Sequence, residues 1–145
     1  MQGLVQRVTR ANVVVDGETV GEIAAGILLL LGVEKHDDKA KSDKLLHKVL
    51  NYRIFPDDDG HMNLSLLDVQ GELLVVSQFT LAADTQKGLR PSFSSAAPPD
   101  IAELIYEDFL AEARIRLGKI ATGQFGADMA VSLLNDGPVT FLLNT

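Results

Sequence analysis

A chain of 145 residues, 46% apolar and carrying a net charge of −7, is the size of one globular domain with room for a sizeable core. The absence of cysteine excludes a disulfide framework, a thiolate nucleophile and cysteine-ligated metal, and suits a reducing cytoplasm. The acidic balance argues against broad binding to nucleic acid, because phosphate attraction needs a positive field; a local basic patch reading one end of an RNA stays open. No apolar run approaches the ~20 residues of a membrane span, and Met1-Gln2-Gly3-Leu4-Val5-Gln6-Arg7 lacks the apolar core of a signal peptide.

In chain order, Leu4 to Val15 is valine-rich and partly alternating, which predicts a strand. Asp16-Gly17 predicts a hairpin turn, with a return strand from Glu18 to Ile23. Gly26 leads the run Ile27 to Val33, apolar on both faces and therefore read as a central strand. Asp37 or Asp38 caps a helix on which Leu45, Leu46, Val49 and Leu50 recur at helical spacing. Ile54-Phe55-Pro56 ends that helix or starts a short strand. Asp57-Asp58-Asp59-Gly60 is a turn that fails the calcium-loop template, because Phe55 and Leu66 stand where acids are needed.

Leu73 to Thr80 is expected to be a buried strand ending in polar residues, followed by a long Ser-, Pro- and Gly-rich loop from Ala83 to Pro99. A helix follows, with Asp100 as N-cap, Glu103 completing a capping-box-like pair, and Gly118 as terminator. Ile101, Leu104, Ile105, Phe109, Ala113 and Leu117 supply its apolar stripe. The last two apolar runs, Met129 to Leu134 and Val139 to Leu143, read as strands joined by a tight turn at Asn135-Asp136-Gly137-Pro138. The whole is one α+β domain over residues 1–145, with mostly antiparallel, curved, barrel-like sheets and two principal helices packed on them.

Conventional catalytic constellations are largely missing. His36, His47 and His61 have no carboxylate or histidine partners at a recognised ligand spacing, so no metal site is expected. No nucleophile elbow, phosphate loop or dinucleotide fingerprint is present, and no cofactor is implied. Ser77-Gln78-Phe79-Thr80 remains, at a strand end where main-chain N–H groups come free. The hydroxyls of Ser77 and Thr80 are open to three readings: nucleophile, donor, or plain strand-end hydrogen bonders.

Ser77-Gln78-Phe79-Thr80-Leu81-Ala82 together with Asn135-Asp136-Gly137-Pro138-Val139-Thr140 resembles the paired signature of the D-aminoacyl-tRNA deacylases. The likeness extends to Val5-Gln6-Arg7-Val8, to the strand from Gly26 to Val33 and to Arg90-Pro91-Ser92-Phe93, and so spans the chain. It implies a cytoplasmic homodimer that hydrolyses the ester between a D-amino acid and the 3′-terminal adenosine of tRNA, and also clears glycine mischarged on tRNA for alanine. It further implies a cis Gly137-Pro138 inserted into the partner's site as a main-chain wall against L side chains. Arg7 would hold the Gly137-Pro138 carbonyls, with Met129 and Asn135 in the same selecting group. Ser77, Gln78, Phe79 and Thr80 would supply main-chain donors and positioning, with the terminal ribose 2′-hydroxyl preferred over Thr80 as the driving group. Lys87 and Arg90 would meet tRNA phosphate. Two rivals stand beside this: a non-catalytic module holding a small metabolite or RNA end in the same pocket, and a serine/threonine esterase acting on small molecules.

Overall fold

The structure is a computed structural model that describes residues 1–145. Its organising strand is β1 (Gln2–Val15), hydrogen-bonded along both edges. On one edge it pairs antiparallel with β2 (Glu18–Ile23) and β3 (Gly26–Gly32); on the other it pairs antiparallel with β8 (Ala130–Asn144). The turn into β2 is the expected Asp16-Gly17, both residues at positive φ. β6 (Glu72–Ser77) and β7 (Ala121–Thr122) extend the sheet beyond β3 as parallel neighbours. The sheet is thus mixed and curls into a nearly closed barrel; β4 (Phe55–Pro56) and β5 (Met62–Leu64) form a separate small hairpin. Gly26 opens the β3–β6 ladder because the Glu72 carbonyl lies where a Cβ would stand.

Two apolar clusters occupy the two faces of this sheet. Val5, Ile27, Leu29, Leu31, Leu73 and Val75 face the helices, whereas Val8, Val13, Leu28, Leu74 and Val76 fill the barrel. Burial on both sides is why the β3 and β6 sequences are unbroken apolar runs rather than alternating ones. Helix α1 (Lys39–Asn51) is capped by Asp38, whose carboxylate accepts the Lys41 N–H at 2.9 Å. It buries Leu45, Leu46, Val49 and Leu50, as its spacing predicts.

Helix α2 (Pro99–Leu117) departs from expectation at its start and on its buried face. Pro98 is the N-cap and Pro99 the first helical residue, so Asp100 lies in the first turn and caps nothing. The buried line is Ala102, Tyr106, Phe109, Leu110 and Ala113, while Ile101 and Leu104 are exposed. Both lines fit a 3.6-residue period, and packing against α1 and the core selects the Ala102–Ala113 line. Gly118, at φ 78°, ends the helix as expected, its N–H donating to the Arg114 carbonyl at 2.8 Å.

One charged cluster ties the start of β1 to the turn before α1. The Met1 ammonium, wholly buried, donates to Glu34 Oε2 and Asp37 Oδ1, each at 2.7 Å. The bond from that ammonium holds the Glu34 carboxyl below its ordinary value of 4.5, against an opposing effect of burial. A depressed carboxyl stabilises the fold above its unfolded value, and the gain disappears as pH falls through the folded one. Wild type should therefore exceed Glu34→Gln in urea midpoint at neutral pH, with the gap closing in the acid range below 4.5. A gap that stays constant with pH would rule this linkage out.

Candidate functional site

The first half of the site is the C-terminal end of β6. The strand stops at Ser77, not at Thr80 as expected, because Phe79–Ala82 winds into a 3₁₀ turn. The Gln78 N–H is spent on the Leu31 carbonyl at 2.8 Å, so this expected main-chain donor is unavailable to a ligand. Phe79 and Thr80 begin the turn, where N–H groups have no intrahelical acceptor, and theirs find none elsewhere in the chain. Two adjacent donors therefore project from a rigid strand end. The Gln78 side-chain amide donates to Thr80 Oγ1, which fixes the Thr80 hydroxyl as an acceptor.

Beside these donors lies a cleft of about 500 Å³, lined mainly by apolar side chains that include Leu31, Phe79, Tyr106, Phe125, Met129 and Val131. Tyr106 is buried, donates to the Val75 carbonyl at 3.2 Å, and has its phenol pushed far up by burial, so it acts as a neutral wall. Met129 is held by the Gln124 N–H, which reaches its Sδ at 3.4 Å. No histidine lines the cleft, although Asp128 does. Sequence reasoning missed Tyr106, Phe125 and Asp128. The glycines at 123 and 126 mark the turn carrying Phe125, but nothing in a linear pattern says what that turn faces.

The second half is the Asn135-to-Thr140 segment, which does not reverse the chain. β8 runs on through it against β1, with Val8 opposite Asn135 and Gln6 opposite Thr140. Residues 136–139 form a bulge that exposes Asp136 to Pro138 and returns Val139 to the core, and Gly137-Pro138 is a cis peptide. Gly137 sits at φ 147°, where an added Cβ would meet Val139 Cγ2 at 2.5 Å and Val139 N at 2.8 Å.

Two clamps hold the bulge. Asn135 Oδ1 accepts the Val139 N–H at 2.7 Å, and its Nδ2 donates to Thr140 Oγ1 at 3.0 Å and to the Val139 carbonyl at 3.3 Å. Gln6 Nε2 adds a bond to the same Thr140 hydroxyl at 3.2 Å. On the other side Arg7 donates to the Asp136 carbonyl at 3.0 Å and the Ile54 carbonyl at 2.6 Å, with the Asp136 carboxylate 3.2 Å away. Arg7 thus grips the bulge one residue before Gly137, not the Gly137-Pro138 carbonyls as expected. The Asn135 amide is consumed within the bulge.

The halves are far apart in one chain. Arg7 is level with Ile27 and Leu73, whereas Ser77 is level with Leu31, four residues further along the ladder. With three strand spacings between β8 and β6 added, the separation is on the order of 20 Å. Lys87 and Arg90 are exposed near the tip of a hairpin-like loop closed by the Asp84–Ser92 bridge. At the Asp57 turn, Asp57, Asp59 and His61 bring ligand-type atoms within 4.8 Å, a closeness that spacing did not anticipate. Asp57 Oδ1 is already used there, accepting the N–H groups of Asp59 and His61.

The curled mixed sheet thus sets a main-chain donor pair beside an apolar cleft that no histidine lines. The family model described as D-Tyr-tRNA(Tyr) deacylase matches residues 4–144. A D-aminoacyl-tRNA deacylase of Pseudoalteromonas translucida (strain TAC 125) is 64% identical over 99% of both chains. One from Stutzerimonas stutzeri (strain A1501) is 61% identical over 100% of both. Among solved structures, a c-Myc DNA unwinding element binding protein superposes with a TM-score of 0.95 at 44% identity, covering 100% of this chain and 99% of that one. A probable eukaryotic D-amino acid tRNA deacylase shares the fold, with a TM-score of 0.82 at 18% identity over 99% and 98% of the two chains. The chain belongs to the D-aminoacyl-tRNA deacylase family and is a hydrolase.

Because the Asn135 side chain spans the bulge, Asn135→Ala should lower single-turnover deacylation by about tenfold or more while leaving the far-UV spectrum unchanged. Asn135→Asp, which keeps the acceptor and loses both donors, should fall between. Wild-type rates for Asn135→Ala would mean that Arg7 alone suffices.

Proposed function

We propose that this protein hydrolyses the ester joining a D-amino acid to the 3′-terminal adenosine of tRNA, and that it does so as a homodimer. The observation carrying this reading is the separation of the two halves within one chain. A main-chain wall on the order of 20 Å from the donor pair serves the same ligand only when a second copy brings it there. The outer edge of β8 supports such pairing, since that long edge carries no partner strand and β8 exposes Leu133, Leu134, Phe141 and Leu142.

In this arrangement the apolar cleft takes the terminal adenine. The Phe79 and Thr80 N–H groups point at the oxygen that becomes negative as the ester carbonyl is attacked, each contributing about 3–4 kcal/mol to the transition state. A water oxygen bonds to the ester carbonyl carbon, the ester C–O bond then breaks, the ribose oxygen takes up the proton that the water releases, and free tRNA and amino acid leave. The ribose 2′-hydroxyl, not Thr80, assists the attack, since no histidine lines the cleft to activate the Thr80 hydroxyl.

Chirality is then read by rejection. The partner's Gly137-Pro138 wall contacts the substrate amino group and leaves no room on the side where an L side chain would project. Glycine has no side chain to reject, so glycine on tRNA for alanine passes the same filter. Lys87 and Arg90 meet tRNA phosphates, and the substrate places the enzyme in the cytoplasm.

Two variants test the reading with matched D- and L-aminoacyl-tRNA. Gly137→Ala forces a methyl group against Val139, so the D/L rate ratio should fall at least about tenfold; unchanged selectivity would refute the filter. Thr80→Ala should retain most of the turnover. Complete loss of hydrolysis with tRNA binding intact would make Thr80 the nucleophile instead.

A further inference from the structure

Phe79 lines the cleft with one part of its ring, yet it is 60% exposed, and Phe93, 41% exposed, leans on it with ring centroids 5.1 Å apart. Burial does not explain this pair, because neither residue belongs to the two apolar cores. The loop around it is built to hold Phe93 in place. Asp84 and Ser92 exchange main-chain bonds at 2.7 and 3.0 Å, and the Ser95 hydroxyl donates to the Ala82 carbonyl at the end of the 3₁₀ turn. The same loop carries Lys87 and Arg90, both exposed cations in a chain of net charge −7. Exposed aromatic faces flanked by cations are how proteins hold single-stranded nucleic acid, since every base offers a π face and every nucleotide a phosphate.

We propose that the Phe79–Phe93 pair is a stacking platform for the nucleotide that precedes the terminal adenosine. The inference rests on the deacylase reading above and adds a second nucleotide subsite to it. With the adenine in the cleft and the ester carbonyl at the Phe79 and Thr80 N–H groups, the chain of the substrate leaves the cleft past the Phe79 ring. The next base meets the exposed aromatic faces there, and the phosphates beyond it run toward Lys87 and Arg90. The platform holds the acceptor end in register with the donor pair without reading sequence.

The test compares two short substrates, a D-aminoacyl ester of adenosine and the same ester of cytidylyl-adenosine, on wild type, Phe93→Leu and Phe93→Trp. Leucine keeps an apolar contact with Phe79 but removes the π face; tryptophan retains it. In wild type, adding the cytidine should lower KM by about tenfold. Phe93→Leu should abolish most of that gain, with KM for the adenosine ester and kcat for both unchanged within about twofold, and Phe93→Trp should restore it. A Phe93→Leu protein that keeps the full cytidine gain, or that loses equally on both substrates, would overturn the platform while leaving the deacylase reading intact. Wild type that cleaves neither ester nor intact D-aminoacyl-tRNA would overturn the deacylase reading itself.

Discussion

Between the pairs Val8–Asn135 and Gln6–Thr140, β1 contributes one residue and β8 contributes four. That mismatch is the constraint on which the site depends. Surplus chain in an otherwise continuous ladder cannot stay in the plane of the sheet, so Asp136 to Pro138 stand out from it while Val139 turns back into the core. The single residue opposite is Arg7, and its guanidinium fills the gap left in the ladder by donating to Asp136 and Ile54. Asn135 then closes the other side by offering Val139 the acceptor and donor that a neighbouring strand would have supplied. A protruding main-chain corner is thus held by side chains that satisfy the bonds the bulge leaves unpaired.

The opposite end of the sheet is rigid for a different reason. β3 and β6 are buried on both faces, between the helices and the barrel interior, and their parallel ladder runs from Gly26–Glu72 to Leu31–Ser77. The last bond of that register, from the Gln78 N–H to the Leu31 carbonyl, fixes where the strand ends. The 3₁₀ turn therefore starts from a fixed point, and α2 walls the cleft with Tyr106, anchored to the Val75 carbonyl. Precision at this end comes from packing, and at the other from polar clamps.

The legible and illegible parts of the chain divide along the same physical lines. The Asp16-Gly17 hairpin, the doubly buried β3 and the Asp38-capped α1 were readable because turn chemistry, apolar runs and helical spacing are local. The buried face of α2 was not, since Ile101 and Leu104 fit the period as well as Ala102 and Tyr106 do, and only packing against α1 and the core decides between them. The break at Asn135 was misread as a hairpin because Gly-Pro between two apolar runs looks the same whether the chain reverses or bulges. Resemblance singled out Arg7, but which carbonyl it grips depends on register. The cleft residues Phe125 and Asp128 come from a turn whose neighbours in space are remote in sequence.

The donors at Phe79 and Thr80 belong to the main chain, and this shapes how such a centre can vary over evolution. No codon change deletes a peptide N–H except one to proline, so this donor pair is nearly invisible to side-chain scanning and nearly immune to random substitution. Replacing either amide by an ester linkage through chemical synthesis would remove a donor while leaving every side chain in place. Genetic drift at this enzyme is therefore expected to act on the shape of the cleft and the grip on the corner, while the donor pair stays fixed by the backbone itself.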